Sequence, residues 1–144
     1  MIQIRPIRAT DARQVTGLLA QLGYPTEFDE VTSRLSGILG SPWQHVLVAV
    51  AADGSRLDGY VSVERRLSLS GGERVEITDL VVDSQVRRSG LGRALVAAAE
   101  RWALQEGLHT VLVRSNVARG ESHPFYAGIG YQRTKTSHTY RKEI

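Results

Sequence analysis

With 144 residues, 42% hydrophobic and 23% charged, the chain has the size and composition of one domain with its own core, which excludes a disordered polymer. It contains no cysteine, excluding disulfides and thiolate metal sites, and no apolar run approaches the ~18–20 residues that cross a bilayer. The net charge of +3 comes without a block of like charges or a basic helix face interleaved with aromatics, so an anionic small molecule explains it more economically than a nucleic acid.

The first residues, MIQIRPIRATDAR, lack the charged-then-apolar layout of a secretory signal, and a cytoplasmic protein is expected. Ile2 and Ile4 alternate with polar neighbours, and Ile7 breaks phase, which predicts a strand over residues 2–8. Pro6 has no N–H and places that strand at an edge or near its end. Thr10-Asp11 offers a helix cap, Val15, Leu18, Leu19 and Leu22 follow at helical spacing, and Gly23 closes the helix. Thr26 caps a second helix with Phe28, Val31, Leu35, Ile38 and Leu39 as its stripe, ended by Gly40-Ser41-Pro42. The run HVLVAVAA at residues 45–52 reads as a buried central strand, and Asp53-Gly54-Ser55 as a turn. Residues 59–69 alternate in the manner of an antiparallel partner with one wet face. Gly71-Gly72 is a hairpin turn, and residues 75–82 form the next strand.

That strand runs into a polar turn bearing Arg87 and Arg88, then Gly90-Leu91-Gly92 and a helix over residues 90–106. The helix buries Leu91, Leu95, Val96, Ala99 and Trp102 and stops at Gly107. A strand feeding a glycine turn at a helix N-terminus is suited to anions, because the first helical N–H groups lack partners and the helix dipole is positive there. A dinucleotide fingerprint would need a third glycine, but Arg93-Ala94-Leu95 follows, and no Gly-Lys-Ser/Thr marks a phosphate loop. Taken alone, the residues leave two readings open, a pyrophosphate cradle and a plain tight turn. Residues 109–115 form another strand, so this part is a parallel βαβ unit. Pro124 belongs in the first turn of a short helix over residues 122–129, which Gly130 ends. Residues 131–142 have room for a final hairpin-like strand anchored by Tyr140. One mixed α/β domain over residues 1–144 is expected.

The arrangement resembles the GNAT family of acetyl-CoA-dependent N-acetyltransferases. Its Q/R-x-x-G-x-G/A signature is met by Arg87-Arg88-Ser89-Gly90-Leu91-Gly92 after Val82-Asp83-Ser84, and its aromatic motif by Phe125-Tyr126-Ala127-Gly128-Ile129-Gly130-Tyr131. The element order β-α-α-β-β-β-α-β-α-β is also that of the family, over essentially the whole chain. The resemblance implies a mostly antiparallel sheet with a splayed parallel pair, flanked by about four helices. It implies direct transfer of the acetyl group of acetyl-CoA to a primary amine of a small molecule, peptide or protein. It further implies that main-chain groups of Arg88, Ser89, Gly90, Leu91, Gly92 and Arg93, with Arg87 beside them, hold the pyrophosphate. Leu80, Val81 and Val82 would pair with the pantetheine arm as an added strand does, and Tyr126 would protonate the departing thiolate. Many family members carry Asn seven residues before this Tyr; here that position is Arg119, and Asn116 lies three residues earlier. Asn116 is a candidate for the cofactor, and Arg119 for a CoA phosphate or an acceptor carboxylate.

The attacking amine must lose a proton, so a base is needed. Glu76 and Asp79 are an odd number apart and should face opposite sides of their strand. Asp79, nearer the pantetheine end, matches an acid of one GNAT subgroup, while Glu76 reads as a surface pair with a neighbouring strand. His123, three residues before Tyr126 on one helix face, is either a further base or a capping residue. In the family, acceptors enter over the first two helices and the hairpin tip, here residues 23–28 and 68–74. Those stretches and the start of the second helix carry Tyr24, Glu27, Asp29, Glu30 and Glu73, which do not specify the acceptor. No metal is expected. Exposed antiparallel edges and the C-terminal strand leave room for a homodimer. The rival readings are transfer of a longer acyl group, a CoA-binding regulatory module without turnover, and a nucleic-acid-binding domain.

Overall fold

The computed structural model describes residues 2–87, 89–116, 120 and 122–144. Internal contacts divide the chain into two units, Met1–Arg114 and Ser115–Ile144, each treated by itself below. The first unit holds a five-stranded sheet in the order β1-β2-β3-β4-β5, comprising β1 (Gln3–Pro6), β2 (Gln44–Val50), β3 (Leu57–Ser68), β4 (Gly72–Val82) and β5 (Val111–Val113). All pairings are antiparallel except the last, in which β4 and β5 run parallel. This is the mixed α/β sheet expected from the sequence.

Helices α1 (Ala12–Leu22) and α2 (Phe28–Leu39) lie against one face of the sheet, where Val15, Leu18, Val31 and Leu35 pack with Val46, Val48, Tyr60 and Val81. Helix α3 (Leu91–Gln105) buries Leu91, Leu95, Val96, Ala98, Ala99 and Ala103 and packs on β2, β3 and β4. Val61, Val63, Val75 and Ile77, all nearly inaccessible, alternate with the residues of the α1–α2 face. Strand β3 is therefore buried on both faces over its first half, not wet on one face; only its far end becomes exposed.

Several local expectations are corrected. Thr26 does not cap α2; its hydroxyl donates to the Tyr24 carbonyl at 2.8 Å, and Glu27 is the residue at the helix start. Asp11 does not cap α1 with its side chain; its carboxylate accepts from Arg5 at 2.8 and 3.0 Å and from the Arg8 N–H at 2.8 Å, fastening the end of β1 to the helix. Burial of Asp11 is tolerable because the carboxylate is paired, and Arg5 above all holds it below the ordinary range for Asp.

Gly59 marks the closest approach of β3 to β4. A Cβ there would lie 2.5 Å from the Val81 carbonyl oxygen and 3.3 Å from Leu95 Cδ1. Backbone cannot retreat as a flexible side chain can, so Gly59→Ala should destabilise the fold by about 2–3 kcal/mol, read as a lower urea midpoint at unchanged slope.

The second unit contains α4 (Ser122–Gly128), with Pro124 in its first turn as expected. The expected final strand is absent: no described residue from 131 to 144 lies in a helix or strand. Between Tyr131 and Tyr140 the sequence QRTKTSHT offers no apolar side chain to bury, and Tyr140 itself is 91% exposed.

Candidate active site

Strand β4 organises the site. It pairs with β3 along its length, and from Val75 to Ile77 β5 flanks its other side. Residues 78–82 run on with no partner strand on that side among the described residues. An open strand edge presents N–H and C=O groups ready for an extended partner. Leu80, Val81 and Val82, singled out from the sequence, lie in this segment.

A β-bulge opens it. Val63 pairs with Ile77 and Ser62 with Asp79, so Thr78 is the additional residue, and its hydroxyl donates to the Ser62 carbonyl at 3.2 Å. The bulge overturns the parity expectation for the two acids. Glu76 is opposite Glu64 and Asp79 is opposite Ser62, so both carboxylates lie on the same face of the sheet. Nor is Glu76 a surface residue. It is 5% exposed and accepts from Arg114 Nε at 2.7 Å and Arg66 Nη1 at 3.0 Å. Burial pushes its carboxyl up, but the two guanidiniums outweigh this and hold it below its ordinary value. Asp79 differs: burial raises its carboxyl above the usual range, opposed only in part by a hydrogen bond from Tyr60 Oη at 3.2 Å. A half-buried carboxylate of raised basicity suits proton removal.

Beyond Val82 the chain makes a one-turn 3-10 helix, Ser84–Val86, and reaches α3 through Gly90. Asp83 caps this turn by accepting from the Gln85 N–H at 2.8 Å, and the Asp83 N–H donates to the Asp58 carbonyl at 2.8 Å. Arg87, Ser89 and Gly90 are exposed; Arg88 lies outside the described residues. Gly90 has φ +81°, a conformation that favours glycine, and open space where a Cβ would stand. Its carbonyl accepts the first helical bond, from the Ala94 N–H at 3.1 Å, so the N–H groups of Leu91, Gly92 and Arg93 have no acceptor within the helix. This turn therefore fits a pyrophosphate by geometry as well as by motif.

Gln21 was not apparent from the sequence. From the last turn of α1 its Oε1 accepts the Ser84 N–H at 2.9 Å, with Nε2 3.5 Å from Asp83 Oδ2. Seven residues earlier on α1, Gln14 Oε1 accepts the Leu57 N–H at 2.6 Å. Two glutamines two turns apart on one helix face thus tie α1 to the start of β3 and to the anion turn. Their spacing is the only mark they leave in the sequence.

The other residues singled out from the sequence belong to the second unit. Tyr126 is half-buried on α4, edge-on to Phe125 at 5.1 Å and to Tyr131 at 5.9 Å between centroids. Its carbonyl accepts the Tyr131 N–H at 2.9 Å, so the aromatic motif closes on itself. His123 is exposed in the first turn of α4, Asn116 is exposed outside any strand, and Arg119 lies outside the described residues. Among the described residues no group of three or more His, Cys, Asp or Glu could hold a metal ion, and no helix is long and apolar enough to cross a membrane.

Residues 14–131 match the family described as Acetyltransferase (GNAT) family. Aminoglycoside N(6')-acetyltransferase type 1 of Klebsiella aerogenes is 28% identical over 148 aligned positions, covering 98% of this chain and 96% of that protein. The uncharacterised N-acetyltransferase YhdJ of Bacillus subtilis is 35% identical over 80 residues, a match that spans 55% of each chain. The solved structure of AAC(6')-Iy in complex with the bisubstrate analogue CoA-S-monomethyl-acetylneamine has the same fold, with a TM-score of 0.88 at 21% identity over 100% of this chain and 99% of that one. With the family match over most of its length, the open β4 edge and the glycine-led anion turn, the chain belongs to the GNAT family of N-acetyltransferases.

Proposed function

We propose that this protein transfers the acetyl group of acetyl-CoA to a primary amine by direct attack of the amine nitrogen on the thioester. The observation that supports this reading is that β4, beyond its pairing with β5, leads on to the Gly90 turn at the N-terminus of α3. Leu80, Val81 and Val82 would hold the pantetheine arm. The N–H groups of Leu91, Gly92 and Arg93, with Ser89, Gly90, Arg87 and Arg88 around them, would hold the pyrophosphate. Asn116, three residues before the position where many family members carry Asn, is a candidate for the same cofactor, and Arg119 for a CoA phosphate or an acceptor carboxylate.

When bound, acetyl-CoA supplies an acyl carbon activated by its thioester. Asp79 takes the proton that the acceptor's ammonium group must lose, directly or through one water. As the C–N bond forms and the C–S bond breaks, Tyr126 donates its phenolic proton to the departing sulfur and is restored by the proton that the acylated nitrogen gives up. His123 is the second candidate for the base. The chain has no cysteine to carry the acyl group, which favours direct transfer.

For the acceptor, we take a primary amine of an amino sugar as the first class to test, because the Klebsiella aerogenes relative is an aminoglycoside N(6')-acetyltransferase. We further propose a cytoplasmic location, and β1, whose outer edge has no partner strand among the described residues, leaves room for a homodimer. Light scattering on the eluting protein, giving one chain mass or two, decides the second point.

Calorimetric titration with acetyl-CoA tests cofactor binding. Saturable binding at one site per chain is expected, and no binding would overturn the reading. In the same titration Gln21→Ala should bind about 3–10-fold more weakly, since it removes one backbone tether of the anion turn without touching the ligand. An unchanged affinity would mean that the turn holds its shape without α1.

A further inference from the structure

Tyr60 is the fourth residue of β3, directly opposite Val81 of the open segment. Its ring belongs to the core beneath α1 and α2, and the residue is 3% exposed. A buried phenol needs a partner for its O–H, and this one donates to Asp79 Oδ2 at 3.2 Å. The bulge at Thr78 makes this contact possible. Without the additional residue Asp79 would lie on the α3 face of the sheet, away from Tyr60. Sequence, register and packing thus converge on one pair: a rigid donor set in the core and a half-buried carboxylate beside the open edge.

We propose that Tyr60 is a positioning residue for acetyl transfer, holding the Asp79 carboxylate in the orientation that receives the proton of the acceptor amine. The inference rests on Asp79 being the base in the function proposed above. Tyr60 is not itself the base. Burial and the neighbouring Asp79 push its phenol well above the ordinary tyrosine value, so it stays a donor throughout the working pH range.

Among the described residues of the first unit, the other charges around Asp79 are paired or face away from it. On its own face, Glu76 is compensated by Arg66 and Arg114, and Glu64 is paired with Arg66 at 3.2 Å. The ionisable residue of α1 is Arg13, whose guanidinium lies over the Phe28 ring at 4.4 Å. Strand β5 carries none, and α3, with Arg93, Glu100 and Arg101, packs on the opposite face.

The phenol donates to the charged form of Asp79 and so favours it. Tyr60→Phe removes the donor while keeping the ring. The Asp79 titration, followed by carbon NMR of carboxyl-labelled aspartate and assigned with Asp79→Asn, should move upward by about one unit. The acid limb of kcat/KM should move with it, measured against one acceptor so that the amine's own ionisation is common to both proteins. In the Asp79→Asn background Tyr60→Phe should have no further effect on rate. Site-specific fluorotyrosine at position 60, a stronger donor of nearly the same shape, should move the titration downward, and it serves as the second variant if Tyr60→Phe folds poorly. A merely structural role would alter melting temperature or plateau rate without moving either titration. If Asp79→Asn is crippled while neither Tyr60 variant moves the titration or the limb, the positioning role is overturned. If Asp79→Asn keeps its full rate, the assignment of the base is overturned, and the role of Tyr60 in transfer falls with it.

Discussion

Tyr126→Phe should lower kcat by about 30–100-fold while leaving the affinity for acetyl-CoA within roughly twofold. General-acid catalysis contributes about 10²–10⁴-fold, and the loss here belongs at the lower end. The leaving group is a thiol, the class to which cysteine belongs with its reference value of about 8.5, and it can depart unprotonated far more easily than an amine can. Removing only the hydroxyl should keep α4 intact, because the ring packs edge-on with Phe125 and Tyr131 and the main chain carries the turn to Tyr131. An unchanged rate across pH would show that Tyr126 is only a packing residue, with water protonating the sulfur instead.

Glu76→Gln should remove about 2–3 kcal/mol of stability at neutral pH, read from urea unfolding. Removing one member of a buried ion pair costs about 3–5 kcal/mol where the partner is stranded. Here Arg66 and Arg114 are 44% and 60% exposed and can rehydrate, so the lower figure applies. The pair also has a place in the fold: Arg114 follows the last residue of β5 and reaches back to β4 where the two strands part. The sign of the pH dependence follows from the lowered carboxyl. Its contribution is fully present above the unfolded value of about 4.3 and is lost as pH falls through the lower folded value. The gap between wild type and Glu76→Gln should therefore narrow steadily as the pH falls below about 4. A gap that stayed constant down to strongly acid pH would mean that the amide loses packing, not charge.

The order of the elements was legible because each carries a local mark. Gly23 ends α1 in the left-handed conformation, Gly72 turns the β3–β4 hairpin, and Gly90 leads into α3 with φ +81°. The tight turn into α3 was legible for the same reason, since Gly90 stands where the strand gives way to the helical pattern. What escaped depended on pairing between distant residues. Nothing about Thr78 announces a bulge, yet that one residue moves Asp79 onto the face of Glu76 and Tyr60 and reverses the parity expectation. Likewise, the two arginines that neutralise Glu76 lie ten and thirty-eight residues away in sequence, so its burial could not be inferred from its neighbours. The tail was misjudged for a simpler reason: an anchor such as Tyr140 makes no strand where the intervening residues have nothing to bury.

Strand β4 thereby combines three roles through one irregularity. Val75 to Ile77 are sealed between β3 and β5, the bulge at Thr78 turns Asp79 toward the α1–α2 face, and among the described residues the last residues of β4 have no partner strand on the β5 side before the chain reaches the Gly90 turn.

The most direct test is thiol release from acetyl-CoA by the purified protein, with and without an amino sugar bearing a primary amine. Release that depends on the amine, matched by one acetyl group gained per acceptor in the mass spectrum, is expected, with Asp79→Asn and Tyr126→Phe both impaired. Saturable acetyl-CoA binding with no amine-dependent release across a broad panel of primary amines would contradict it and leave a CoA-binding module in place of an enzyme.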